Sequence, residues 1–142
     1  MTSTGTGSNP HSDVVQEGGC ACGAVRFRVS APPKRVGMCH CMTCRRVSGA
    51  PFALFVIFHG KDVTVQGRTE AWRSSETGRR HFCPVCGSVA FLDGLDTDEV
   101  ELPLGAFDRT GIYEPQYELW VKRREPWLPH GVRPEYEGDR PV

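Results

Sequence analysis

All seven cysteines of this chain lie in three tight groups: Cys20-Ala21-Cys22, Cys39-His40-Cys41-Met42-Thr43-Cys44 and Cys83-Pro84-Val85-Cys86. Thiols spaced this closely converge on a metal ion. Two pairs make a closed four-thiolate site, the kind that holds a fold together. The triplet then makes a second site with one coordination position open, the kind that does chemistry. Sulfur-only coordination favours zinc, with iron the lesser choice. Spacing also permits another partition, in which Cys41 and Cys44 join Cys83 and Cys86 as a zinc ribbon and Cys20, Cys22 and Cys39 are left over. The first partition leaves no spare thiol. Gly87, just after the Cys83–Cys86 knuckle, permits the positive φ such turns need, and Gly18, Gly19 and Gly23 let the backbone fold closely around Cys20 and Cys22.

The triplet's chemistry follows from its charge. A zinc on three thiolates carries a net negative charge and is a weak Lewis acid, poorly suited to making hydroxide. It is better suited to holding an incoming thiol as its thiolate, with a pKa below the ordinary value of about 8.5. The pattern therefore points to a sulfur nucleophile as substrate. His40, between two ligands, is expected to face away from the metal. His59, His81 and His130 read as hydrogen-bonded surface or rim residues, with His81 placed to line a pocket beside Arg79 and Arg80. Arg45 and Arg46 follow the last ligand, and guanidinium forks suit the carboxylates of an anionic thiol.

A disulfide framework fits poorly, because Cys-x-Cys cannot easily bridge itself and an odd thiol would remain. Free, clustered thiols suit a reducing compartment and suggest a cytoplasmic protein. Seventeen basic and seventeen acidic side chains cancel, which argues against a general nucleic-acid binder. No apolar run approaches the ~20 residues a membrane helix needs, and the N-terminus lacks a charged-then-apolar leader.

The elements that must position these groups read as short strands. Val25, Phe27 and Val29 alternate with Arg26 and Arg28, a half-buried strand over 24–29. Phe52 to Phe58 reads as a strand buried on both faces. Further runs fall at 62–65, 70–74, 89–92, 100–102 and 117–121. Sixteen glycines and eleven prolines punctuate them, and nothing shows a sustained helical period beyond one turn near Arg45–Ser48. The sum is a single all-β domain over residues 14–128, with a disordered polar tail at 1–13 and a polar, proline-rich tail at 129–142 that lies over the surface or hangs free. The stretch Trp72–Arg80 reads as an exposed loop, and Trp127 is expected to cap the core.

GGCACGAVRF (18–27), CHCMTCRRVSGAPF (39–52), SSETGRRHFCPVCGS (74–88) and REPWL (124–128) together resemble the glutathione-dependent formaldehyde-activating enzyme family, which includes centromere protein V. The motifs are in order and span nearly the whole domain. The resemblance implies an all-β, tent-like fold of twisted antiparallel sheets stapled by a structural zinc on Cys20, Cys22, Cys83 and Cys86. It implies a second, catalytic zinc on Cys39, Cys41 and Cys44, two per chain in all. In that family glutathione adds to formaldehyde to give S-hydroxymethylglutathione, a carbon–sulfur lyase activity. Many members carry a histidine just before the final strand, where this chain has Glu118.

The expected function is thus addition of a small-molecule thiol, glutathione or similar, to formaldehyde or another small aldehyde. Cys39, Cys41 and Cys44 hold the metal, while Arg45, Arg46 and Arg80 bind the thiol's carboxylates. The alternative is a non-catalytic zinc module that binds glutathione, or a macromolecule through the basic loop 73–81.

Overall fold

The structure, a computed structural model, describes residues 15–141. The expected tail at 1–13 lies outside them. Among the described residues ten strands run in chain order: β1 (Gln16–Gly19), β2 (Arg26–Val29), β3 (Arg35–Cys39), β4 (Ala53–His59), β5 (Val63–Gln66), β6 (Glu70–Arg73), β7 (Gly78–Phe82), β8 (Val89–Gly94), β9 (Glu99–Pro103) and β10 (Tyr117–Leu119). The one α-helix among them, α1 (Met42–Ser48), joins β3 to β4. β1, β2 and β5 form a small sheet, and the other strands form a larger one in the order β10-β3-β4-β9-β8-β7-β6. All pairings are antiparallel except β10 with β3.

Strand periodicity explains where the core sits. Val36, Val56, Phe58 and Leu102 point from the large sheet onto Phe27 and Val29 of the small one, and Phe107 and Ile112 close the cluster. Cross-strand neighbours share a face, so the register Arg35–Ile57–Glu101–Leu92–Arg80 defines a row on the opposite side. That row carries polar groups because it faces the site, not the core. Ile57 on this row and Val56 and Phe58 on the other face are all buried, so the centre of β4 is covered on both sides, as its continuous apolar run predicts.

Three strands had no sequence signal strong enough to be read: β1, β3 and β7. β7 and its partner β6 turn the supposed loop 72–80 into a hairpin, with Trp72 opposite Arg80. The helix is longer than a single turn. The thiol of Cys41 caps its start by accepting from the Cys44 N–H at 3.4 Å, and Gly49 ends it at φ 68°.

The C-terminal residues lie along β10. Glu118 N–H donates to Pro134 O, Tyr136 N–H to Glu118 O, and Trp120 N–H to Gly138 O. Trp127 does not cap the core; it is 67% exposed. Arg124 anchors this segment instead, its side chain buried in ion pairs with Glu118 at 2.7 Å and Glu135 at 2.9 Å. Among the described residues no helix is long and apolar enough to cross a membrane.

Candidate metal centres and the cavity beside them

The fold collects the cysteines at three chain reversals. Cys20 and Cys22 sit in the β1–β2 turn, Cys83 and Cys86 in the β7–β8 turn, and Cys39, Cys41 and Cys44 at the β3–α1 junction. The sulfurs of Cys20, Cys22, Cys83 and Cys86 all lie within 4.8 Å of one another, as do those of Cys39, Cys41 and Cys44. None of the seven is in a disulfide. The four-cysteine group therefore joins a turn of the small sheet to a turn of the large one.

In both donor sets backbone N–H groups point at sulfur. Val25 N–H donates to Cys20 Sγ at 3.2 Å and Val85 N–H to Cys83 Sγ at 3.4 Å. Gly87 holds the knuckle with φ 79° and donates its N–H to Cys83 O at 2.9 Å. The Ser88 hydroxyl and backbone N–H hold Cys86 down to about 5, and the Val25 N–H lowers Cys20. In the triplet, Cys41 N–H donates to Cys39 Sγ at 3.5 Å, and Arg80 Nη2 lies 3.8 Å from Cys44 Sγ. The hydrogen bond with Cys39 and the charge of Arg80 hold Cys44 down to about 6, while Cys39, on the other side of that bond, is raised. Clustered sulfurs with aligned N–H donors, each group holding at least one thiol lowered beside one raised, Cys22 in the first and Cys39 in the second, fit a soft divalent ion such as zinc.

The triplet opens on a cavity of about 390 Å³ lined by Cys39, Cys41, Cys44, Arg80, Glu101 and Trp120, among others. Arg80 is fixed there by its Nε–H, which donates to Ser74 Oγ at 3.1 Å. Glu101 comes from the centre of β9 on the polar row. Burial pushes its carboxyl up to about 7, and the charge of Cys44 adds to the rise. Sequence reading passed over Glu101. Its signal was an acid between Val100 and Leu102, on the face opposite the core.

Arg45 and Arg46 do not line this cavity. Arg45 donates to Pro51 O at 3.2 Å and pairs with Glu125 at 2.7 Å, and Arg46 is exposed on the outer side of α1. His40 faces away from the sulfurs into a fully buried contact with Glu118, Nε2 to Oε1, at 2.8 Å. Arg133 donates to the second oxygen of Glu118 at 2.6 Å. The carboxylate at this position thus takes three cationic or proton-bearing partners directly behind the triplet. His81 stacks on Phe91 and contacts Asp93 at 2.7 Å. His59 pairs with Asp98, and His130 lies 3.8 Å from Glu135.

Known proteins resemble this chain in sequence and in fold. A protein of Halomonas elongata with the provisional name glutathione-dependent formaldehyde-activating enzyme is 35% identical over 126 residues, covering 81% of this chain and 80% of its own. An uncharacterised lyase of Schizosaccharomyces pombe is 29% identical over 76 residues, covering 54% of this chain and 56% of its own. A crystal structure of a Rhodobacter sphaeroides protein, 22% identical, matches with a TM-score of 0.54 over 68% of this chain and 90% of that one, a likeness of fold. The sequence profile of the glutathione-dependent formaldehyde-activating enzyme family matches residues 15–123, and with these motifs in place the chain belongs to that family.

Proposed function

We propose that this protein is a zinc-dependent carbon–sulfur lyase that adds a small-molecule thiol, glutathione or similar, to an aldehyde. The observation that carries the reading is the open triplet of Cys39, Cys41 and Cys44, which forms one wall of a cavity beside Arg80 and Glu101. Cys20, Cys22, Cys83 and Cys86 would hold a structural zinc and the triplet a second one. When bound at the triplet, that ion supplies a vacant position where a thiol's pKa falls.

The chain's own groups do the rest. Arg80 binds an anionic group of the thiol and aims its sulfur at the triplet. Glu101, poised near neutral pH, accepts the thiol's proton and returns it to the carbonyl oxygen. The S–H bond breaks and a C–S bond forms. The π pair of the C=O bond moves to oxygen, which takes the proton, and the product is a hemithioacetal with nothing oxidised or reduced. Because thiols add to aldehydes unaided, the site's main contribution is orientation of two bound reactants. Arg45 and Arg46, outside the cavity lining, take no role in this scheme.

The test is Cys41→Ser in the zinc-loaded protein, followed by thiol consumption with an aldehyde. Losing the ion that would hold the thiolate beside the aldehyde predicts a loss of about a hundredfold or more in kcat/KM, with one zinc per chain and the melting transition retained. Unchanged turnover would sink the reading. No turnover in either protein would favour a zinc module that only binds.

A further inference from the structure

The cysteine triplet stands between two cavities. Besides the polar one, an apolar cavity of about 310 Å³ runs between α1, β4 and the segment following β9, lined by Val47, Ala50, Phe52, Leu54 and Pro103. Cys44, Arg80 and Glu101 line both, with Phe55 and Leu92. The apolar space therefore opens onto the same reactive wall as the polar one.

We propose that this second cavity binds the carbon chain of the carbonyl substrate, so that the aldehyde is an apolar one of several carbons and not formaldehyde. The inference rests on the thiol–aldehyde addition proposed above and specifies its carbonyl partner. The charged groups in its lining, Arg80 and Glu101, are on the wall it shares with the polar cavity. Ser48, the hydroxyl in the lining, is engaged with Phe52 O at 3.3 Å and Arg45 O at 3.4 Å. What remains is an apolar pocket whose polar atoms sit at the threshold, on Cys44, Arg80 and Glu101. That layout matches a molecule with one polar head and a hydrocarbon body. A charged thiol such as glutathione would lose the hydration of its charges there and belongs in the polar cavity.

Size points the same way. The volume falls at the lower end of small-molecule sites, about 300–1,000 Å³, and formaldehyde, little larger than a water molecule, would leave most of it unfilled. The space is kept open by small residues, Ala50, Ala53 and Gly105. At Gly105 an added Cβ would meet nothing within 4 Å, so crowding at that carbon is not what requires a glycine.

The first experiment is a chemical-shift titration of the zinc-loaded protein with acetamide, butanamide and hexanamide, carbonyl analogues that do not add thiols. Affinity is expected to rise about threefold to fourfold per added methylene. Val47→Phe and Gly105→Leu, on different walls, should each flatten that slope, and Gly105→Leu covers the case in which Val47→Phe disturbs packing. Affinity independent of chain length, or a slope that neither folded variant changes, would overturn the proposal. In turnover with one thiol, kcat/KM for hexanal is expected to exceed that for formaldehyde at least tenfold. The reverse order would overturn this inference and leave the thiol addition standing. A length-dependent amide series without turnover of any aldehyde would instead remove the addition reaction and keep the apolar ligand site.

Discussion

At the residue scale, the site depends on a few groups with unequal visibility in the sequence. The cysteines were legible because metal ligation forces short spacings that packing does not. Arg80 was legible only through its motif, and Glu101 hardly at all, since an acid alternating with apolar residues in a strand looks like any solvent-facing residue until the register places it opposite Leu92 and Ile57. Arg45 and Arg46 looked as promising as Arg80, but helical rotation about Cys44 carries them to the outer side of α1. Glu101 gives a pH prediction. As a base it must be deprotonated, so kcat/KM should rise as pH passes upward through about 7. Glu101→Gln should lower the plateau by about a hundredfold and remove that limb. A wild-type profile flat from pH 5.5 to 8.5 would exclude Glu101 from the proton transfer.

At the element scale, the two cysteine groups stand at different places. Cys20, Cys22, Cys83 and Cys86 bring a turn of the small sheet to a turn of the large one, so on the function proposed above losing an ion held there would unfasten the two layers. Cys83→Ser should lower stability by several kcal/mol or prevent folding, whereas Cys41→Ser should cost far less. Equal losses in thermal melts would make both groups structural. The parallel pairing of β10 with β3 brings Glu118 behind the triplet, where it meets His40, Arg124 and Arg133. Glu118→Ala would leave the buried His40 and the half-buried Arg133 without their carboxylate and the buried Arg124 with Glu135 alone, a loss of about 3–5 kcal/mol, readable by denaturant titration. A change below 0.5 kcal/mol would mean that the cluster holds nothing. Apolar alternation announced β2, and an unbroken apolar run announced β4. β3 and β7 lack both, because β3 carries a glycine and a ligand cysteine and β7 spends its positions on Arg79, Arg80 and His81. Long-range pairing, not local pattern, makes them strands.

At the scale of the whole molecule, Glu99 at the head of β9 ties that strand to Arg35 and Lys34 at the start of β3, at 2.8 and 2.7 Å. Arg35 first, and Lys34 with it, holds the Glu99 carboxyl down to about 2 from an ordinary 4.5. The folded pKa is below the unfolded one, so this stabilisation is fully present above pH 4.5 and is lost as pH falls towards 2. Glu99→Gln should therefore cost about 1–2 kcal/mol at neutral pH, allowing for solvent screening, and little near pH 2. A penalty that does not shrink with acid would contradict the assignment. The proposed function stands or falls on the metals: one closed site that would hold the sheets and one open site that would receive a thiol. Zinc per chain, measured before and after mild chelation with and without saturating glutathione, tests it most directly. The account predicts two zincs, one of them removed by the chelator, protected by glutathione, and lost without unfolding. A single zinc held equally tightly in every sample, or two that leave together as the fold collapses, would contradict it.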